Sequence, residues 1–453
     1  MKKFFYAITL FLLPIAVFCN NVAAPKVQSQ AQSPERTRNF DFVTKLNKAD
    51  GIFKKNEVIE FSAKLLENGS VPQGMFLQAQ LYFNEKLREN KVIPANEEVT
   101  FKVSSGTAGW FVLRLTVLDE NKKILWNVKN TKKFPYRGGI GAMVAPEEIM
   151  PGAPEPADFD AFWQKQRAEL DKVPVKAVRT SVPVPKQYAG KVLCWDVKVD
   201  CAGGMPVSGY LCMPANAKPK SLPIQVSYHG AGVRSSNKPL PYGQYAISFN
   251  VNAHGIANGQ PAAFYQKLAA NELKGYPGRN KTNRDDFYFR GMYLRLMRAL
   301  DYVKSLPEWN GKILVVTGGS QGGAQALVAA ALDPQVTFCG ANVPALCDHG
   351  GGFADRAAGW PRLYKVRNGK ADNEKVMQTA GYYDCCNFAK RIKCETYVCT
   401  GFADGTCVPT SVYAAFNSLP KSTVKTLFTN PAGTHSMKNP GLGKRVYEIL
   451  QKR

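Results

Sequence analysis

The hydrophobic rhythm of the chain changes near residue 138. From Asn39 to about Arg137, apolar and polar positions partly alternate in short runs, at Val58–Phe61, Phe76–Leu81, Val99–Val103 and Trp110–Val117. A period of two places alternate side chains on opposite faces, the signature of strands with one buried face. Asp50-Gly51, Asn68-Gly69 and Asp119-Glu120-Asn121 separate the runs, so residues 39–137 predict a small all-β sandwich of immunoglobulin-like spacing. Residues 138–155 are rich in glycine and proline and predict a connector. Pro156 then opens a helix with Phe159, Phe162 and Trp163 on one face, and residues 180–213 read as antiparallel strands turning at Ala202-Gly203-Gly204. Further on, Ile313–Val316 is continuously apolar, Pro223–Tyr228 and Ala246–Asn252 read as strands of the same buried type, and Thr396–Thr400 and Thr423–Thr429 read as further strands. Strands buried on both faces read this way. Helical stripes such as Tyr293, Leu296, Met297, Leu300 and Val303 lie between them, which predicts an α/β domain with a mostly parallel sheet over residues 156–453.

Such sheets carry their chemistry at the C-terminal ends of the strands. The sharpest example is Lys312–Pro334, reading KILVVTGGSQGGAQALVAAALDP. A β-branched run enters a glycine-flanked serine, and a run of strong helix formers leaves it. Strand, G-x-S-x-G and helix together predict a nucleophile elbow at Ser320, with the backbone N–H of Gln321 aimed where a carbonyl oxygen would become an oxyanion. The α/β-hydrolase fold places nucleophile, acid and histidine in that chain order. His435, in the loop after the last strand, fits the base; His349 comes too early. Asp404 follows the strand at 396–400 and fits the acid; Asp384 precedes that strand and fits a helix cap. The loop after the strand ending at Tyr228 should supply a second oxyanion donor, assigned to the Tyr228 N–H, with His229 as a structural residue or pocket wall.

These stretches carry a resemblance. PADFDAFW near 156, YHG at 228, YFRGMYLRLMRAL at 288, VTGGSQGG at 316, ALDP at 331, YYDCCNFAKRIKC at 382, GFADGTCVPTSVYAAFN at 401 and GTH at 433 follow one another as in the acetyl xylan esterase and cephalosporin C deacetylase family, carbohydrate esterase family seven. The resemblance covers about Pro154 to Leu450. It implies an α/β-hydrolase that removes acetyl groups from sugar hydroxyls, without a cofactor. It also implies a triad of Ser320, Asp404 and His435, with oxyanion donors at Tyr228 and Gln321. The chain departs from the family where an Arg-Gly-Gln-Gly motif is usual, reading Ala253-His254-Gly255-Ile256, and at Ser436, where Glu often follows the base. Those departures bear on substrate range. The front domain, read as a brace or a carbohydrate-binding module, has no counterpart in the resemblance and leaves the family's hexameric assembly open. A serine peptidase on the same fold and a carbohydrate-binding protein with an inert hydrolase domain are the rival readings.

Composition narrows the setting. The 453 residues exceed one small core, and 45% apolar residues suit a globular protein. The net charge of +24 raises a nucleic-acid partner, but the lysines are scattered and no basic cluster alternates with exposed aromatics. Met1 to about Ala24 reads as a signal peptide, with Lys2 and Lys3 before an apolar stretch at Phe4–Phe18, and residues 25–38 as a linker. Export follows, to periplasm or medium, with no stable membrane span after cleavage. Lipidation at Cys19 is the alternative, disfavoured by Phe18 before it. An exported chain permits disulfides, and Cys194 and Cys212 could face each other across the Gly203-Gly204 hairpin. Neither a paired CxxC nor HExxH is present, so no metal site is expected.

Overall fold

Ten strands precede the first long helix in this computed structural model, which describes residues 38–129 and 132–452. The leader, and the linker up to residue 37, lie outside the described residues. The strands are β1 (Phe40–Leu46), β2 (Ile52–Phe53), β3 (Ile59–Glu67), β4 (Phe76–Phe83), β5 (Lys86–Pro94), β6 (Val99–Val103), β7 (Gly109–Leu118), β8 (Trp126–Lys129), β9 (Lys132–Pro135) and β10 (Arg137–Val144). Two sheets, ordered β1-β3-β6 and β2-β10-β7-β4-β5, face each other, while β8 and β9 pair apart. Ile59, Phe61 and Phe101 from one sheet pack on Leu77, Leu81, Leu113 and Leu115 from the other.

Two expectations change here. β7 is buried at nearly every position rather than on one face. Phe111, Leu113 and Leu115 enter the sandwich core, whereas Trp110 and Val112 join the core of the following α/β region. The second face is covered by protein, so strict alternation is lost. The expected connector is also partly strand: β10 pairs antiparallel with β7 from Arg137 to Val144. Its glycines are there for close approach rather than for turning. A Cβ on Gly141 would lie 2.1 Å from the carbonyl oxygen of Phe402, and a strand glycine often marks such contact with another backbone.

The later strands are β11 (Ala177–Ser181), β12 (Val192–Val199), β13 (Val207–Pro214), β14 (Leu222–Tyr228), β15 (Ile247–Val251), β16 (Trp309–Gly319), β17 (Phe338–Asn342), β18 (Val366–Arg367), β19 (Lys370–Ala371), β20 (Glu395–Gly401) and β21 (Lys425–Asn430). The helices are α1 (Phe159–Asp171), α2 (Ala262–Ala270), α3 (Tyr288–Lys304), α4 (Gln321–Leu332), α5 (Glu374–Gly381), α6 (Cys385–Ala389), α7 (Pro409–Asn417) and α8 (Pro440–Leu450). Nine strands make one sheet, β11-β12-β13-β15-β14-β16-β17-β20-β21, antiparallel at its start and parallel from β15 onward. This is the α/β-hydrolase arrangement. Helix α4 is apolar all round and packs against the sheet, α3 and α6, so its buried residues run from Gln321 to Ala330. Cys194 and Cys212 sit directly opposite on β12 and β13 as free thiols with sulfurs 3.0 Å apart. The described residues from Asn39 onward pack as a single compact unit.

Candidate active site

β16 ends at Gly319 and α4 begins at Gln321, which leaves Ser320 alone at the turn. Its φ of 57° and ψ of −123° are unfavourable for a side-chain-bearing residue, a strain of about 1–3 kcal/mol that close packing must hold. The packing is tight. A Cβ on Gly318 would lie 2.1 Å from the Gly322 carbonyl oxygen, and one on Gly322 would lie 2.1 Å from that of Tyr228. The Ser320 N–H donates to the Asn342 carbonyl at 2.9 Å, and its carbonyl accepts from the Ala345 N–H at 3.0 Å.

The three expected side chains converge. Ser320 Oγ lies 3.0 Å from His435 Nε2, and His435 Nδ1 lies 2.8 Å from Asp404 Oδ2. Asp404 is fully buried, and its Oδ1 accepts the N–H groups of Thr406 and Cys407 at 2.7 and 3.1 Å. An ionised carboxylate only accepts, so the proton sits on Nδ1 and Nε2 is free to accept from the serine hydroxyl. His349 and Asp384 lie outside this relay. Asp384 caps α6, accepting N–H groups from Asp348, His349 and Cys386. His349 is buried, its ring nitrogens without a partner among the described residues, on the wall of a cavity of about 970 Å³ that includes none of the three relay residues. Among the described residues one set of potential metal ligands falls within 4.8 Å, Asp404, Cys407 and His435, and the first and last already bond each other.

The oxyanion region needs a correction. Gln321 is the first residue of α4, where an N–H has no intrahelical partner. Tyr228, the other expected donor, closes β14 with β15 and β16 on either side, paired to Val251 and Gly318. A strand residue flanked on both sides gives its N–H to the sheet. The backbone next to the nucleophile comes two residues later: a Cβ on Gly230 would lie 3.6 Å from Ser320 Cβ. Among the described residues the N–H groups of Gly230 and Ala231 have no hydrogen-bond partner.

Two histidines hold that loop. His229 Nε2 accepts the Ala253 N–H at 3.1 Å, so its Nδ1–H donates to the Gly230 carbonyl at 2.7 Å. His254, in the segment where the resemblance failed, contacts Tyr288 Oη through Nδ1 at 2.7 Å and the Gly232 carbonyl through Nε2 at 3.2 Å. Burial keeps both neutral, lowering the His229 pKa to about 4 and that of His254 to about 3.

The sandwich also reaches the site, which the sequence reading missed. Trp110 Nε1–H donates to the Phe402 carbonyl at 2.7 Å, two residues before Asp404, and the Gly141 N–H donates to the Pro431 carbonyl at 2.8 Å, four residues before His435. The two loops are joined in turn by the Ala403 N–H on the Gly433 carbonyl at 2.9 Å. The unusual signals were the unbroken apolar run Trp110–Leu113 at the start of β7, and glycines inside β10.

The model of the acetyl xylan esterase (AXE1) family matches residues 146–453. The chain belongs to that family. Acetyl xylan esterases are carboxylic ester hydrolases, and the match begins where β10 ends, leaving the sandwich outside it. The acetyl esterase Axe7A of Xylanibacter ruminicola is 35% identical over 288 residues, 62% of this chain and 64% of that protein, so the chain spans just under two thirds of this relative. A solved acetyl xylan esterase from Paenibacillus sp. R4 superposes with a TM-score of 0.57 at 26% identity, covering 67% of this chain and 97% of that one. Acetyl Xylan Esterase 1 from Thermoanaerobacterium shares the fold, with a TM-score of 0.56 at 22% identity over 67% and 96% of the two chains.

Proposed function

We propose that this protein is an exported serine esterase that removes acetyl groups from acetylated carbohydrate, xylan or xylo-oligosaccharides, through an acetyl-enzyme. The observation that carries the reading is the unbroken hydrogen-bonded relay from Asp404 through His435 to Ser320, inside a member of the acetyl xylan esterase family. His435 Nε2 takes the Ser320 proton as Oγ attacks the acetyl carbonyl carbon. Negative charge gathers on the carbonyl oxygen, which accepts from the Gln321 N–H and from the loop N–H groups at Gly230 and Ala231. Each such donor is worth about 3–4 kcal/mol to the transition state. The imidazolium, oriented by Asp404, protonates the departing sugar oxygen. Water then repeats the sequence on the acetyl-serine, returning acetate and free Ser320. Export rests on the leader read at residues 1–24; among the described residues no helix is long and apolar enough to cross a membrane.

Acetate release from acetylated xylan, acetylated monosaccharides and acetylated pectin fragments, run beside peptide amides, tests the reading. Turnover of the sugar esters is expected, with a loss of about a millionfold in kcat for Ser320→Ala. Amide cleavage without acetate release would reverse the assignment in favour of a peptidase. Equal, slow release by wild type and Ser320→Ala would leave a binding protein.

A further inference from the structure

Beside the acid and base loops the sandwich leaves a cleft of about 510 Å³. One wall is the face of β4, β7 and β10 that points away from the sandwich core. Register sets Gln80 opposite Arg114, Tyr82 opposite Val112 and Arg137 opposite Thr116. Because side chains alternate along a strand, these residues share a face. The other wall includes Arg362 together with Ala403, Gly405 and Thr434, which adjoin Asp404 and His435 in sequence.

The charges in this cleft are held at a conformational cost. Asn84-Glu85 turns the β4–β5 hairpin, and Glu85 sits at φ 64° where glycine is the usual residue. Arg362, from the opposite wall, sits at φ 56°. The two meet: Arg362 donates both guanidinium arms to Glu85 at 3.0 and 2.6 Å, and one arm to the Gly405 carbonyl at 3.2 Å. Arg114 stands 3.8 Å from the same carboxylate with its guanidinium over the Tyr82 ring at 4.5 Å. Arg137 is exposed and has no ion-pair partner among the described residues. Three guanidiniums and one carboxylate therefore line the cleft, and backbone strain at paired residues of a cleft points toward function.

We propose that this cleft is a subsite for a carboxylate-bearing sugar, a uronic acid unit or branch of the acetylated saccharide whose ester is presented to Ser320. Arginine forks match a carboxylate with two parallel hydrogen bonds. The Gln80 amide and the Thr116 hydroxyl suit sugar hydroxyls, and the Tyr82 ring supplies an apolar surface. Thr434 lines the cleft and is the residue before His435, so the cleft adjoins the loop that carries His435. The assignment rests on the deacetylation reading and adds a charge requirement to it.

The test compares acetate release from an acetylated xylo-oligosaccharide carrying a uronic acid branch with release from the same oligosaccharide as its uronate methyl ester. Wild type should favour the free acid by about tenfold in kcat/KM, mainly through KM, as expected of one charge-assisted contact. The preference should shrink severalfold in Arg137→Gln and at about 0.5 M NaCl, where the Debye length falls to a few ångströms. Binding to Ser320→Ala gives a second readout, with the acid expected to bind about tenfold more tightly than the ester. This readout and the salt series use an intact cleft, so they decide the matter even if Arg137→Gln fails to fold. Equal rates for acid and ester by wild type, with acetate released from both, would remove the subsite and leave deacetylation standing. No acetate from either would remove the deacetylation reading itself.

Discussion

The loops that carry the Ser320–His435–Asp404 relay and the sandwich face packed beside them keep their shape by different means. Ser320 is set by local covalent geometry: a strained elbow between a strand and a helix whose own glycines permit it. The acid and base loops are braced from outside, by Trp110 on Phe402 and by Gly141 on Pro431, across almost 300 residues of sequence. The nucleophile therefore belongs to the hydrolase alone, while its partners are positioned jointly with a region that the family match does not include. The sandwich thus bonds to the backbone of both loops, those that carry Asp404 and His435.

The largest effect should come from within the relay. Asp404→Asn keeps the size of the side chain but replaces a carboxylate that accepts from Nδ1, Thr406 and Cys407. The amide can donate to Nδ1 and stabilise the wrong tautomer. kcat for acetyl ester hydrolysis should fall by about 10⁴, with the thermal midpoint moving little. Steady-state kinetics beside a melting curve would check it; a loss under tenfold would mean that His435 is oriented by something else.

Gly141→Ala carries the same question to the sandwich side. The added methyl would sit 2.1 Å from the Phe402 carbonyl oxygen, so either β10 or the acid loop must move. A shift of an ångström at a catalytic group can cost about a hundredfold in rate, and kcat should fall by that order while the sandwich stays folded. Gly443→Ala is the control, because that glycine lies in α8 with nothing within 4 Å of an added Cβ. It should leave activity unchanged and stabilise the helix by about 0.5–1 kcal/mol. If both variants kept full activity, the bracing would be incidental.

What could be read from the chain divides along the same line. The elbow was legible because strand, glycines, serine and helix are contiguous in Lys312–Pro334. Asp404 and His435 were legible because each follows a strand in the order the fold requires. Gly138–Val144 looked like a connector because glycine signals either a turn or a close approach, and only the position of Phe402 decides which. Tyr228 looked like a donor because periodicity locates the end of a strand to within a residue or two, while the N–H groups beside Ser320 belong to the loop just beyond it. The arginine cleft could not be seen at all. Arg114, Arg137 and Arg362 are far apart in sequence, and strand register together with a loop brings them together.

Acid separates the two regions by chemistry. All four histidines lie between residues 229 and 435, none in the sandwich. His229, His254 and His349 are held neutral by burial, with pKa values lowered to about 4 and about 3 for the first two. In the unfolded chain they take protons near the ordinary value of about 6.5, so between there and the folded values the unfolded state binds more protons. The stability that His229 and His254 contribute is complete above pH 6.5 and is lost as the pH falls toward 4, at about 1.4 kcal/mol per pH unit for each of the two. Chemical denaturation followed at pH 7, 6 and 5 should show this loss, with the oxyanion loop exchanging its amide protons before the sandwich does. A sandwich that loosened first would place the acid sensitivity elsewhere.

The smallest effect, and the finest probe of the joint, is Trp110→Phe. The change keeps an aromatic ring but removes the indole N–H, leaving the buried Phe402 carbonyl without its donor, and trims the ring at a fully buried position. An orphaned buried acceptor costs about 1–3 kcal/mol, a loss comparable to trimming a core side chain. Phe111→Leu, one residue along β7 and facing the sandwich core, supplies that comparison. If β7 couples the two regions as its two faces suggest, both variants should lose similar stability. Only Trp110→Phe should also lower kcat, because only its side chain touches the acid loop. Equal kcat in the two variants would show that the loop keeps its position without the sandwich, and the joint would then serve packing alone.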